Sequence, residues 1–270
     1  MTPFQAIILS IVQGVTEFLP VSSSGHLILV PWFLGWPDQG LTFDIATNTG
    51  TLLAIVAYFH RDLRDLITGV FTGAPRSRDG ELAPRAMALN LVVGTIPAGL
   101  AGLAFHHLIE HQARNPLLIA CTTFFYGLLL FFADRVGRKE RALIDLGWRD
   151  ALIIGVAQAL ALVPGTSRSG ITITAALLLG FTRPAAATFT FLLSVPIGVL
   201  VAAKDVKDLL HAPVSSHDLA MMGIGVVVSG LVGYAVIAWL LNWLRRRSLN
   251  VFVVYRVLLA AVIVAAMVSR

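Results

Sequence analysis

The chain has 270 residues, of which 57% are hydrophobic and only 13% are charged, with a mean hydropathy of +0.81. Soluble domains carry about 25% charged residues, so this composition excludes a soluble protein. Apolar stretches recur along the whole length, which predicts an all-α integral membrane protein built as a single polytopic domain over residues 1–270. The net charge of +5 does not indicate nucleic-acid binding, because the basic residues fall in loops where membrane topology explains them.

The first predicted element is a pair of short helices separated by a polar break. The apolar runs 4–12 and 27–34 are too short to cross a bilayer, which takes about 20 apolar residues. Between them, residues 13–26 read QGVTEFLPVSSSGH. Pro20 is expected to end the first helix, and the serines are favoured caps for a second helix that starts near Gly25. This pattern predicts a re-entrant hairpin, whose broken backbone persists at membrane depth only under cover of protein or a water-filled cavity.

Longer apolar stretches follow, and a second break interrupts them midway. The predicted spans are residues 41–59, 86–105, 116–133, 184–203, 219–244 and 251–268. Between the third and fourth spans, the short apolar runs 151–163 and 171–179 flank the sequence PGTSRSG at residues 164–170. The sequence therefore predicts six full spans plus two re-entrant helical hairpins.

The two halves of the chain share one plan, a broken hairpin followed by three spans. Repeat 1 covers about residues 1–135 and repeat 2 about residues 150–270, and Gln13 near the first break is echoed by Gln158 near the second. A hairpin crosses no membrane and three is an odd number of spans, so the second half is predicted to be inverted. In such inverted-topology repeats, paired Gly/Pro-interrupted segments point to a site near the midplane.

Loop charge predicts the orientation. Arginines concentrate in segments 61–85, 135–149 and 245–247, which the positive-inside rule places on the cytoplasmic side. The mouth of the first hairpin then faces the extracytoplasmic side, and the second hairpin enters from the cytoplasm.

Both breaks lead into a helix N-terminus, where free N–H groups and the helix dipole attract anions. Arg168 is either a phosphate-binding fork or a loop arginine that merely orients the chain. The hydroxyls beside it are either further donors to phosphate or plain helix caps. They belong to Ser22, Ser23, Ser24, Thr166, Ser167 and Ser169.

Two further side chains of the first break carry chemistry. Glu17 is either hydrogen-bonded to a neighbouring helix or an oxygen ligand for a hard divalent cation such as Mg²⁺. His26 lies three residues after Ser23, a spacing that permits a histidine-activated serine nucleophile, while the alternative is a packing histidine satisfied by a hydroxyl. The polar residues 47–49 of the first span either line the same cavity or join helices.

Residues 13–26 and 164–170 resemble the two signature motifs of the undecaprenyl-pyrophosphate phosphatases, the bacitracin-resistance family. In length and span pattern the whole chain is similar to that family. The resemblance implies a bacterial inner-membrane enzyme that hydrolyses undecaprenyl pyrophosphate to undecaprenyl phosphate and phosphate. This reaction recycles the lipid carrier of peptidoglycan synthesis and confers bacitracin resistance. The resemblance further implies a divalent cation, Mg²⁺ or Ca²⁺, and an active site open to the periplasm.

The same resemblance implies roles for individual residues. Glu17 is the implied catalytic acid and metal ligand, Ser23 the candidate nucleophile, His26 its base and Arg168 the phosphate-binding arginine. The implied substrate-binding residues are Gln13, Ser22, Ser24, Gly165, Thr166, Ser167 and Ser169. This chain has Gln13 where many members have a second glutamate, which keeps a carbonyl oxygen for a metal but removes one negative charge.

Two alternatives accompany this prediction. A direct attack by water, with Glu17 or His26 as base, fits the same residues. A polyprenyl-phosphate transporter or flippase is the rival function, because inverted repeats with broken helices are transporter architecture. The expected partners are the membrane and the polyprenyl pyrophosphate lipid, and a homodimer is a candidate assembly.

Overall fold

The computed structural model describes residues 1–72, 83–112, 115–209 and 215–269. Within these ranges the regular elements are helices, apart from one isolated β-bridge between Arg141 and Phe181. The α-helices are α1 (Pro3–Thr16), α2 (Ser23–Leu34), α3 (Leu41–Tyr58), α4 (His60–Thr72), α5 (Pro84–Gln112), α6 (Pro116–Val136), α7 (Trp148–Ala159), α8 (Arg168–Leu178), α9 (Arg183–Leu209), α10 (Ser216–Leu244) and α11 (Asn250–Val268). The all-α prediction is confirmed.

Five of the described helices are long and apolar enough to cross a membrane. They are Pro84–Phe105 of α5, Pro116–Val136, Arg183–Lys204 of α9, Ser216–Leu244 and Asn250–Val268. They match five of the six predicted spans, so the chain is a multi-pass membrane protein by length and composition. The sixth predicted span is helix α3, which has 18 residues but is not among the five. Asp44, Asn48 and four threonines lower its hydropathy.

Some helix boundaries differ from the prediction. α1 ends at Thr16, four residues before Pro20, because the chain already turns over residues 17–21. The end of α1 is therefore not set by Pro20. α5 continues to Gln112, seven residues beyond the end of the predicted span 86–105.

The arginine-rich segment 61–85, expected as a loop between spans, instead begins within the helix α4, which covers His60–Thr72. Leu63 and Leu66 pack against the main core, while Ile67 and Phe71 are exposed. Such a two-sided helix suits the membrane surface. Arg76 and Arg78, which contributed to the orientation prediction, lie outside the described residues.

The first helix of each hairpin packs closely on one long helix through glycine. A Cβ at Gly14 of α1 would lie 2.9 Å from the Ser229 carbonyl oxygen of α10. A Cβ at Gly155 of α7 would collide with the Gly94 carbonyl oxygen of α5. Small residues allow such close backbone approach between membrane helices. The hairpins are thereby fixed between the long helices with their tips inside the bundle.

Asp134 joins the ends of three helices. Arg183 at the start of α9 donates to both carboxylate oxygens, at 2.6 and 3.1 Å, and the Leu249 N–H before α11 donates at 3.2 Å. The arginine-rich segments 135–149 and 245–247 therefore lie on the same side of the bundle, as the predicted orientation requires.

Candidate active site

The second helices of the two hairpins begin on caps with the same geometry. Ser22 has φ 75° and ψ 96°, and Ser167 has φ 73° and ψ 115°. Each Oγ accepts a hydrogen bond from the backbone N–H of a glycine three residues further on, at 3.4 and 3.1 Å respectively. A positive φ is uncommon outside glycine, so this coincidence is informative. The residues that follow the caps, Ser23 and Arg168, consequently occupy equivalent positions.

The flanking serines strengthen this correspondence and link the tips. The Oγ atoms of Ser22 and Ser24 lie 3.4 Å apart, and those of Ser167 and Ser169 lie 3.2 Å apart. Ser169 also donates to the carbonyl oxygen of Leu19 in the first break, at 2.9 Å. The two breaks are therefore in direct contact, which fits paired segments that point to one site.

Glu17, the residue that follows α1, receives donors from both hairpins. Its Oε2 accepts a hydrogen bond from Ser23 Oγ at 2.5 Å, and its Oε1 accepts one from Arg168 Nη2. Gln13 Nε2 donates to the same Oε2 at 3.1 Å and to Asn48 Oδ1 at 2.8 Å. The Glu17 side chain is 12% exposed and that of Arg168 is 28% exposed. Three of the four predicted catalytic side chains thus meet in a partly enclosed site.

His26 lies at the same tip but makes different contacts from those predicted. Its Nδ1 donates to the carbonyl oxygen of Ser22 at 2.7 Å, and its Nε2 lies 2.6 Å from the hydroxyl of Tyr255. The two rings stack, with centroids 5.7 Å apart. Both ring nitrogens are therefore engaged, and Ser23 is paired with Glu17 instead. These are the contacts of the alternative interpretation, a packing histidine satisfied by a hydroxyl.

Two cavities share the Glu17–Arg168 pair as a common wall. The tip cavity, of about 160 Å³, is lined by this pair and by Ser22, Ser23, Ser24, Ala161 and Ser167. The α3–α9 cavity, of about 130 Å³, has polar walls from Asn48, Thr49, Thr51 and Ser194 and apolar walls from Leu52, Ile55, Gly198, Val201 and Ala202. Asn48 and Thr49 therefore line a cavity, which was one of the two interpretations of residues 47–49.

Gly165 and Thr166 lie away from both of these cavities. Gly165 has φ +86° and packs against Thr122, so that a Cβ would collide with the threonine hydroxyl. Thr166 is fully buried, and its Oγ1 has no hydrogen-bond partner among the described residues. In this structure both residues shape the second break, and neither offers a donor to the tip cavity.

Arg256 of α11 is a polar residue that the sequence analysis missed. Its side chain is fully buried and reaches both breaks from the middle of an apolar helix. A lone arginine inside a predicted span was the available signal, because intramembrane charges are functional by default. Tyr255, which meets His26, is adjacent to it and carries no comparable signal.

Comparison with known proteins identifies the family. The family described as Bacitracin resistance protein BacA matches residues 6–262. The chain belongs to this family. Undecaprenyl-diphosphatase of Magnetococcus marinus is 50% identical over 99% of this chain and 100% of that relative, and the same-named protein of Moorella thermoacetica is 51% identical over 98% of each. Undecaprenyl-diphosphatase 2 of Stutzerimonas stutzeri is 49% identical over 97% of each chain. The resemblance first seen in the two breaks is confirmed over nearly the full length.

The bacitracin-resistance family is expected to use a divalent cation, and the oxygen atoms around Glu17 fit one. Gln13 donates through Nε2 to this carboxylate, and its Oε1 is buried and has no hydrogen-bond partner among the described residues. The described residues contain no cluster of three His, Cys, Asp or Glu side chains suited to a metal. One carboxylate with an amide oxygen fits a cation that binds together with phosphate oxygens, as Mg²⁺ commonly does.

Proposed function

We propose that this chain hydrolyses undecaprenyl pyrophosphate to undecaprenyl phosphate and phosphate, and thereby recycles the cell-wall lipid carrier and confers bacitracin resistance. Family membership and the names of the relatives support this reaction. The observation that carries the proposal is the meeting of Ser23 and Arg168 at Glu17. These side chains can supply a nucleophile, a cation for the phosphate and a proton acceptor.

Substrate binding is proposed to begin when the pyrophosphate breaks the ion pair between Arg168 and Glu17. A pyrophosphate in the tip cavity offers several oxygen atoms to the guanidinium fork, which can bind two of them at once. Arg168 would then turn from the carboxylate to the phosphate. Glu17 keeps its hydrogen bond from Ser23 and becomes free to accept the serine proton.

The chemical step follows from this arrangement. Ser23 Oγ attacks the terminal phosphorus in line while its proton passes to Glu17. The bond between that phosphorus and the bridging oxygen breaks, and Glu17 returns the proton to the departing lipid phosphate. Water then hydrolyses the phosphoserine. The N-termini of α2 and α8 are placed to stabilise negative charge on the phosphoryl oxygens.

The identity of the base differs from the sequence-based expectation for a physical reason. The Ser23–Glu17 hydrogen bond of 2.5 Å supports Glu17 as the proton acceptor, whereas His26 is engaged by Ser22 and Tyr255. Direct attack by water with Glu17 as base would use the same groups, and replacement of Ser23 distinguishes the two routes.

A divalent cation, Mg²⁺ or Ca²⁺, is proposed as cofactor. Glu17 and the amide oxygen of Gln13 would hold it together with oxygen atoms of the substrate. When bound, it would neutralise charge on the pyrophosphate. The remaining predicted donors at the tip cavity, Ser22, Ser24 and Ser167, would orient the phosphate groups.

The proposed topology has six spans, with α3 as the sixth, and re-entrant hairpins α1–α2 and α7–α8. The matching caps at Ser22 and Ser167 support an inverted repeat of about residues 1–135 and 150–270 within a single domain. So does the packing of α1 on α10 and of α7 on α5, since these pairs correspond under the repeat. The proposed location is the bacterial inner membrane, with the active site open to the periplasm.

Phosphate release by the purified protein tests the function. Wild-type protein in detergent should release phosphate from undecaprenyl pyrophosphate when Mg²⁺ or Ca²⁺ is added, and EDTA should suppress the release. The Arg138→Lys variant, altered in an exposed loop, should match the wild type. A protein that moves the lipid across vesicles without releasing phosphate would be the rival flippase.

Thiol labelling tests the orientation. The test uses intact cells, a Cys121→Ser background and a small thiol reagent that passes the outer membrane but not the inner membrane. Ser216→Cys, at the start of α10, should react with this reagent. Glu140→Cys, on the arginine-rich side, should be shielded. The reverse pattern would place the first hairpin's mouth in the cytoplasm.

Sedimentation in density-matched detergent tests the proposed homodimer against the 29.0 kDa monomer.

A further inference from the structure

Arg256 has a hydrogen bond for each of its donors. A guanidinium carries five N–H groups, and isolating such a charge in a membrane is costly. Here all five hydrogen bonds go to backbone carbonyl oxygens, so their number equals the number of N–H groups. The bonds run from Nε to Thr123 at 2.9 Å, from Nη1 to Pro20 and Thr166 at 3.1 Å each, and from Nη2 to Gly165 at 2.9 Å and Thr122 at 3.4 Å.

The surrounding helices are shaped to admit this side chain. A Cβ at Gly127 of α6 would lie 3.2 Å from Arg256 Cβ and 3.4 Å from its Nε. A Cβ at Gly170, in the first turn of α8, would lie 3.2 Å from Nη1. Two glycines on separate helices thus leave room for one guanidinium, which indicates a built socket.

The carbonyl groups that Arg256 holds are close in sequence to the reacting side chains. Pro20 is three residues from both Glu17 and Ser23, and Thr166 is two residues before Arg168. Through Nη1 the guanidinium joins the Pro20 carbonyl of the first break to the Thr166 carbonyl of the second. One rigid planar group therefore sets the distance between the two tips.

We propose that Arg256 is a positioning residue for the hydrolysis, which locks the two breaks together so that Ser23 and Arg168 meet at Glu17. This inference rests on the proposed function. Misplacing reacting groups by about 1 Å can cost about 100-fold in rate, so a residue that touches no substrate can control turnover. Lysine cannot replace it, because an ammonium has three donors and no fork.

Arg256→Lys and a matched Arg183→Lys variant test the proposal. Arg183 also forms a two-pronged contact, with Asp134 at the end of the bundle. In Arg256→Lys, kcat per folded molecule should fall by about 30-fold or more, while KM stays within about threefold. Arg183→Lys should lower the unfolding temperature and leave kcat within about twofold of the wild type. A purely structural arginine would not lower kcat in protein shown to be folded.

Gly127→Ala provides a second test that keeps the guanidinium. Its methyl group would press on the Arg256 side chain from α6, and Gly127 lines neither cavity. Its kcat should fall several-fold, whereas Gly99→Ala, with open space at the Cβ position, should be unchanged. If Arg256→Lys does not fold, Gly127→Ala decides alone.

Wild-type kcat per folded molecule in both Arg256→Lys and Gly127→Ala, or in Gly127→Ala alone where the lysine variant does not fold, would overturn the positioning role. An inactive wild type would instead overturn the proposed function, so the two failures are distinguishable.

Discussion

The two hairpins have nearly the same backbone at their tips and different chemistry on it. After equivalent caps, the first hairpin has Ser23 and the second has Arg168. Five residues before the caps, the first has Glu17 and the second has Leu162. The first hairpin thus supplies an acid and a hydroxyl, and the second supplies a cation. A repeated scaffold has become one site because its halves diverged, and neither tip contains the whole set.

The hairpins also differ at their open ends, which are the ends of the two helices away from the tip. Around the second, Arg141 donates to both oxygens of Asp150, at 3.0 and 2.6 Å, and to the Leu179 carbonyl oxygen at 3.1 Å. The first has an edge-on contact between Phe4 and Trp36, with centroids 6.4 Å apart. Separating two rings costs less than breaking a charge-assisted network, so we expect the first hairpin to part more easily and the lipid substrate to enter past it.

Replacing the hydroxyl of the first tip should have the largest effect. Ser23→Ala should lower kcat by about 10³-fold or more, because it removes the nucleophile. Ser216→Ala is the matched control, since this serine is exposed at the start of α10 and lines neither cavity. Phosphate release at saturating substrate measures both. A Ser23→Ala variant that keeps a tenth of wild-type kcat has lost only about 1.4 kcal/mol, too little for a missing nucleophile, and water would then attack.

The second tip should tolerate change almost as poorly. Arg168→Lys keeps the charge but loses the fork, so kcat/KM should fall by about 100-fold. Arg138→Lys, in an exposed loop, controls for the exchange itself. Near-native kcat/KM in Arg168→Lys would mean that the second hairpin contributes only a positive charge, and that the guanidinium fork is not needed.

His26 should matter less than the serine it was expected to activate. Both of its ring nitrogens are engaged elsewhere, so His26→Ala should cost about tenfold in kcat, and Tyr255→Phe less. Steady-state kinetics on these variants and on Ser23→Ala give the ranking. A His26→Ala loss as large as that of Ser23→Ala, with the double variant no worse, would restore His26 as the base.

The sequence predicted the framework of the site well because local rules set it. Proline, glycine and serine mark both breaks, and apolar length marks the long helices. Glu17 and Arg168 were candidates because charges in apolar stretches are rare. The inverted plan pointed both breaks to one site, and so predicted that Glu17 and Arg168 lie near each other.

The partners of these side chains were not predictable from local rules. Spacing paired Ser23 with His26, whereas the fold turns the serine toward Glu17, six residues earlier. Tyr255 reaches His26 across 229 residues, and Arg256 reaches Pro20 across 236. One chain contains no local signal for contacts of that separation. The arginine could have been singled out, but its carbonyl partners could not.

The smallest expected effects lie at the open ends of the hairpins. Arg141→Met removes two hydrogen bonds to the Asp150 carboxylate and leaves it the one from the Gly147 N–H, at 2.9 Å, so it should cost about 1–3 kcal/mol of stability. Its unfolding temperature should fall while KM stays unchanged. Trp36→Leu should change KM by a few-fold and leave the unfolding temperature constant. The reason is that Trp36 contacts Phe4 at the open end of the first hairpin, where we expect the lipid to enter. Thermal unfolding and KM, measured on the same preparations, separate the two. A shift in KM for Arg141→Met without loss of stability would mean that the lipid arrives past the second hairpin, and the assignment of the open ends would be reversed.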